Sequence, residues 1–276
     1  MLNPRDVKTI EDARRIVEER NLTHVKVGVF DIDGVMRGKY INRSKFFTAL
    51  EHGSGFCDVV LGWDVKDQLY DNVQYTGWHT AYPDAPVRIV PHSCREIPFE
   101  NGMLLFIAEF DRQAEAICPR GTLQRVIQRC RAMGFDPFAA LEYEFFLFDE
   151  TPDSVRAKGF RNLKNLSPDW FGYSTLRNSV HAELYHAILD LAERMDFPIE
   201  SLHSETGPGV IEAAIAAELD ALFAERMEVA RPNRLFVLPR AWISEAISRA
   251  TFENCHVLES VDLKKLRRLR TRYCAC

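Results

Sequence analysis

The sequence predicts an α+β protein in two parts, a β-rich segment followed by one that alternates helix and strand. Three observations carry this. Val25, Val27 and Val29 alternate ahead of an Asp33-Gly34 turn, MLLFIAEF at 103–110 is an apolar run of strand length, and FAALEYEFFLF at 138–148 alternates between two amphipathic helical segments. With 276 residues the chain is long enough for two modest domains. The boundaries fall at 1–112, 113–223 and 224–276.

Thr9 caps a helix over residues 9–20 whose Ile10, Ala13, Ile16 and Val17 share a face. The Val25–Val29 strand turns at Asp33-Gly34 into a second strand through Val35 and Tyr40. Pro119 opens a helix with Leu123, Val126, Ile127 and Cys130 on one side, and Gly134 ends it. In the following strand Leu141, Tyr143, Phe145 and Leu147 point one way, so Glu142 and Glu144 point the other. Its flanks are apolar on both faces, which places the strand deep in a domain. A helix carrying Leu184, Ile188, Leu191 and Met195 comes next, then short strands on either side of Thr206-Gly207-Pro208-Gly209. From about Ala224 the pattern fades; no glycine follows Gly209, and the arginine-rich end LRRLRTRYCAC reads as a solvated helix.

Composition narrows the function classes. The 35 basic and 40 acidic residues give a net charge of -5, which offers no electrostatic footprint for nucleic acid. No apolar run approaches the roughly 20 residues of a membrane span, and the charged first 20 residues lack a secretory signal. Seven cysteines without a C-x-x-C pair fit reduced thiols and a cytoplasmic location. Cys274 and Cys276 near His256 are too few donors for a zinc site. His79, His92, His181 and His186 read as ordinary polar or packed histidines, and Trp63, Trp78, Trp170 and Trp242 as core or interface residues.

The chemistry lies in the carboxylates. Glu142 and Glu144 share one face of a strand, and Glu205 and Glu212 bracket the TGPG turn on what becomes a hairpin. Four carboxylates gathered without cations repel one another and take up protons. Hard divalent ions such as Mg²⁺ or Mn²⁺ remove that conflict and work naturally with phosphates.

This E-x-E strand followed by E-x(6)-E across a Gly-rich turn is similar to the metal-binding pattern of glutamine synthetases. VMRGKYINRSKF, CPRGTLQRVIQR and ALEYEFFLF extend the resemblance over roughly residues 20–222, in the family's order. It implies a β-grasp domain over the first region and the start of the catalytic domain over the second. It also implies Glu144, Glu205 and Glu212 as ligands of a first Mg²⁺ or Mn²⁺, Glu142 at a second, and Glu200 at the nucleotide. The implied reaction is an ATP-dependent ligation of glutamate to ammonia or an amine through a γ-glutamyl phosphate, in a ring-shaped homo-oligomer. The family's amine-binding Asp falls in GFCDVVLGWDVKDQLYDN, where Asp64 is the candidate and Asp58 the fallback. Val210 stands where the family usually has Gln, a departure that points to a subgroup with another substrate. The family's downstream His-x-His segment, phosphate-binding arginines and last metal-ligand glutamate find no match. The alternative expectation is therefore a truncated or frame-shifted member without catalysis.

VFDIDGVM competes with this reading. It resembles the nucleophile motif of haloacid dehalogenase-like phosphatases, with Asp31 as nucleophile and Asp33 as acid. No G-D-x-x-x-D element follows it, and a β-turn through Asp33-Gly34 suffices.

Overall fold

The computed structural model describes residues 1–135, 138–219, 236–239 and 256–257. The architecture is α+β. Helix α1 (Ile10–Glu19) starts with a reciprocal cap, in which the Thr9 hydroxyl accepts the Asp12 N–H and the Asp12 carboxylate accepts the Thr9 N–H. Strands β1 (His24–Phe30) and β2 (Met36–Asn42) form an antiparallel hairpin. Helix α2 (Arg43–His52), capped by Asn42 and ended by Gly53 at φ 74°, has no counterpart in the sequence reading. Strands β3 (Ser54–Cys57), β4 (Asp84–Ile89), β5 (Arg95–Ile97) and β6 (Met103–Phe110) complete a mixed sheet of order β2-β1-β6-β4-β3, with β5 on β6. β1 and β6 run parallel at its centre.

One apolar cluster closes this sheet. Ala13, Ile16 and Val17 of α1 and Phe46, Ala49 and Leu50 of α2 meet Val25, Val27 and Val29 of β1 and Leu104, Phe106 and Ala108 of β6. Phe46 and Phe106 lie 4.7 Å apart, a tilted aromatic pair.

The β1–β2 turn explains the VFDIDGVM motif. Asp31 is fully buried. Its Oδ1 accepts the N–H groups of Asp33 and Val35 at 2.9 and 2.8 Å, and its Oδ2 accepts Arg37 Nε at 2.9 Å. Asp33 Oδ2 accepts the Val65 N–H at 3.1 Å. Both carboxylates organise backbone, and burial pushes the Asp31 carboxyl above its ordinary value.

Helices α3 (Gln113–Ile117) and α4 (Pro119–Ala132) lead onward. Arg120 is buried and, with Gln124, donates to Glu109 Oε1 on β6, so the CPRGTLQRVIQR motif fastens α4 to the first sheet. Val126, expected on the packed side of α4, is instead exposed, and Ile127 carries the burial. Strand β7 (Phe138–Phe148) precedes α5 (Pro152–Ala157), α6 (Thr175–Val180) and α7 (Ala182–Arg194). Strands β8 (Ile199–Ser204), β9 (Val210–Leu219), β10 (Phe236–Pro239) and β11 (His256–Val257) finish a second sheet of order β11-β10-β7-β9-β8. Its described core is small: Leu147, Tyr185 and Ile211, with Phe145, Leu166, Leu184 and Leu202 against them.

Between β7 and α6, buried Glu150 holds its own loop. It accepts Lys158 Nζ at 2.5 Å, Ser154 Oγ at 2.5 Å and the Lys164 N–H at 2.6 Å. Lys158, then Ser154 and the Lys164 N–H, lower its carboxyl from an ordinary 4.5 to about 2. The two sheets meet at the end of α7. Asp196 lies 3.6 Å from Arg5 and 3.4 Å from Arg95, and Arg194 donates to Pro98 O at 3.4 Å. Trp78 and Trp170 are both exposed rather than core residues. Trp242, Cys274, Cys276 and the arginine-rich end lie outside the described residues.

Candidate metal centre

Three neighbouring strands build the centre. In the β7–β9 ladder Glu144 stands opposite Glu212 and Glu142 opposite Ala214. In the β8–β9 ladder His203 stands opposite Glu212 and Ser201 opposite Ala214. Since side chains alternate, two parallel rows emerge on one face: His203–Glu212–Glu144, and beside it Ser201–Ala214–Glu142. Glu205, two residues beyond His203, continues on that face.

A local irregularity refines the pattern. Register shifts between Ile199 and Ser201, so Glu200 is an extra residue and shares Ala214 with Ser201. The shift lets Ile199 pair with buried Ile215 while Ser201 and His203 stand in the rows of Glu142 and Glu144. Glu200 is exposed at this bulge.

The TGPG turn closes β8 onto β9, with the Glu205 N–H donating to Val210 O at 3.0 Å. Gly209, at φ 75°, donates no side chain because none fits: a Cβ there would lie 2.7 Å from Leu147 O. Gly209 O in turn accepts the Leu147 N–H at 2.8 Å, which fixes the turn against β7.

The site's electrostatics are those of crowded anions. Burial, first, raises the Glu212 carboxyl above its ordinary value; His203 pulls it down, and Glu142, Glu144 and Glu205 push it further up. The Glu205 charge, then burial, Glu212 and Glu142 raise the Tyr173 hydroxyl. Among the described residues Glu205 Oε2 is buried without a hydrogen-bond partner. A buried carboxylate oxygen left unpaired is costly unless a cation meets it. His203, Glu205 and Glu212 each offer one ligand atom, all within 4.8 Å of one another. Carboxylates joined by one imidazole are a donor set for a divalent ion, and the buried Glu205 Oε2 without a hydrogen bond fits a ligand of one.

The sequence-predicted residues divide into two groups. Glu142, Glu144, Glu205 and Glu212 converge, although the strand bearing the first two is not deep: both are exposed on an open face of a central strand. The apolar flanks reflect its central place in the sheet, not burial of both its faces. Asp64 and Asp58 belong to the body of the first sheet. Asp64 Oδ1 accepts the N–H groups of Lys66 and Gln68 at 2.8 and 2.9 Å. Asp58 is buried and accepts Thr76 Oγ1 at 2.6 Å; burial raises its carboxyl.

Two residues escaped the sequence reading. His203 lies between Glu205 and Glu212, 3.9 Å from each, and Tyr173 stacks on its ring at 4.4 Å and 28°. The H-x-E spacing of His203 and Glu205 was the available signal, because strand alternation puts both on one face. Nothing local in the sequence marks Tyr173, which reaches the site from the loop before α6.

Known proteins resemble this chain in sequence and in fold. The family model described as "Glutamine synthetase, catalytic domain" matches residues 116–227. A type-1 glutamine synthetase 2 of Dictyostelium discoideum is 44% identical over 194 residues, covering 69% of this chain and 37% of its own. A glutamate–isopropylamine ligase of a Pseudomonas species is 28% identical over 230 residues, covering 79% of this chain and 50% of its own. The fold matches a GmaS–ADP complex with TM-score 0.62 at 14% identity, over 86% of this chain and 49% of that one. The chain thus spans about half the length, or less, of these relatives. Over the residues they share, it belongs to the glutamine synthetase family.

Proposed function

We propose that the face shared by β7, β9 and β8 is the metal- and nucleotide-binding half of an ATP-dependent ligase that joins a glutamate γ-carboxylate to ammonia or an amine. The observation that carries this reading is the partnerless Glu205 Oε2 inside a ring of carboxylates. Glu144, Glu205 and Glu212 are the residues to hold one Mg²⁺ or Mn²⁺, with Glu142 at a second and Glu200 at the nucleotide. When bound, such an ion supplies the positive charge that lets a carboxylate approach a phosphate that is itself negative.

The reaction in this reading has two steps. A γ-carboxylate oxygen of glutamate forms a bond to the terminal phosphorus of ATP, and ADP leaves. The amine nitrogen then bonds to the acyl carbon, phosphate leaves, and a base takes the surplus proton. Asp64 is our candidate for attracting the ammonium form and accepting that proton. In a ring-shaped homo-oligomer it would do so at a neighbouring subunit's site. The thiols of Cys57, Cys94 and Cys130 suit the reducing cytoplasm. No described helix is long and apolar enough to cross a membrane.

The test separates binding from turnover. Calorimetry on the full chain is expected to show a non-hydrolysable ATP analogue binding only with Mn²⁺ or Mg²⁺, and Glu144→Ala with Glu212→Ala is expected to abolish it. Nucleotide binding indifferent to metal and to these substitutions would overturn the proposal. ADP release from ATP and glutamate, measured with ammonium or isopropylamine as acceptor, then separates two kinds of chain. Acceptor-dependent release that falls by about 10²-fold or more in Glu144→Ala marks a working ligase. Binding without release marks a member that keeps the site and not the reaction.

A further inference from the structure

His203 is a donor that the carboxylate reading leaves unused. Its Nδ1 lies 3.9 Å from Glu205 Oε2 and its Nε2 lies 3.9 Å from Glu212 Oε1. Both distances are too long for hydrogen bonds. Two atoms ligating one ion at about 2.0–2.2 Å can be no more than about 4.4 Å apart, so the gap between His203 Nε2 and Glu212 Oε1 is one that a single ion spans.

The surroundings hold the ring in place. Tyr173 stacks on it, and the Tyr173 N–H donates to Ser204 O at 2.7 Å, so the stacking partner is itself tied to β8. His203 Nδ1 is 3.3 Å from Ser204 O. A proton on Nδ1 donates to that carbonyl and leaves the Nε2 lone pair facing Glu212, a tautomer arrangement common to ligating histidines. Two acceptors, Nε2 and Glu212 Oε1, then confront each other across 3.9 Å beside the orphaned Glu205 oxygen.

We propose that His203 is itself a ligand of the ion held by Glu205 and Glu212, and that its nitrogen makes the site prefer Mn²⁺ and later first-row ions to Mg²⁺. The inference rests on the metal reading above. Its physical basis is donor chemistry: Mg²⁺ takes oxygen in near-ideal octahedra, whereas imidazole suits transition metals. A purely carboxylate set lacks that lever.

The experiment uses the full chain with Mn²⁺ and Mg²⁺ as probes. Pulsed electron paramagnetic resonance of bound Mn²⁺ is expected to show nitrogen hyperfine coupling. Calorimetry is expected to show Mn²⁺ bound at least about tenfold more tightly than Mg²⁺. His203→Gln should remove the coupling and weaken Mn²⁺ by about 10–100-fold, with Mg²⁺ changed far less. Bound Mn²⁺ without nitrogen coupling in the unaltered chain, or an unchanged Mn²⁺/Mg²⁺ ratio in His203→Gln, overturns the inference while leaving the carboxylate reading in place. Coupling and selectivity that survive Glu212→Gln support the histidine and overturn the carboxylate set. Absence of binding by either ion overturns both. The resonance measurement needs no variant, so a misfolded His203→Gln does not rescue the idea.

Discussion

Asp31 shows how one carboxylate can look catalytic in sequence and be structural in space. Its two oxygens are occupied by the Asp33 and Val35 N–H groups and by Arg37, and it has no access to solvent. Asp31→Asn keeps the shape but loses the charge that pairs with Arg37, whose remaining carboxylate is Asp67 at 2.7 Å. We expect a loss of about 2–4 kcal/mol, read as a lower urea midpoint, with no phosphomonoesterase activity before or after. A phosphatase activity that vanishes in the variant would restore the nucleophile reading. The same contrast separates His203 from the four glutamates. The glutamates announce themselves by spacing along β7 and around the TGPG turn. His203 acquires meaning only through Glu212, its partner across a hairpin, and a lone histidine in sequence carries no such information.

At the scale of elements, strands with clean alternation were legible and elements defined by tertiary contact were not. β1, β6 and β7 could be read because their apolar residues repeat at period two or form a continuous run. α2 could not, because Phe46 and Phe47 are adjacent and its buried positions reduce to Phe46, Ala49 and Leu50. Its signals were the terminal residues Asn42 and Gly53 and one short i, i+3, i+4 set that spans little more than a turn. The loop after β7 is a third case, a segment held by one buried acid. The Glu150 carboxyl is depressed to about 2 in the folded chain, below its ordinary 4.5. A depressed acid contributes stability that is present above the unfolded value and lost as pH falls through the folded one. Wild-type stability should therefore decline between about pH 4.5 and pH 2 by more than that of Glu150→Gln, and the variant should be the less stable at neutral pH. Parallel acid-unfolding curves for the two proteins would contradict this. Gly209 constrains the same end of β7, and its close approach to Leu147 O explains why the turn tolerates no side chain there.

For the whole molecule, the two sheets are unequal. α1 and α2 seal the first with a continuous apolar cluster, while the described core of the second rests on Leu147, Tyr185 and Ile211. Local opening follows buried apolar contact. Amides of β8 and β9 should exchange hydrogen at a lower opening free energy than those of β1 and β6, and saturating Mn²⁺ should narrow the gap by favouring the closed site. Equal protection in both sheets without metal would count against this ranking. The joint between the sheets adds a different dependence. Arg5 and Arg95 on Asp196, and Arg194 on Glu96, are partly solvated ion pairs only a few residues upstream of β8. Charges of this kind are screened within about 8–10 Å at moderate ionic strength, whereas apolar cores are not. Added salt thus weakens these pairs and leaves each apolar core intact, so ionic strength becomes a control over how firmly the metal-binding strands are braced.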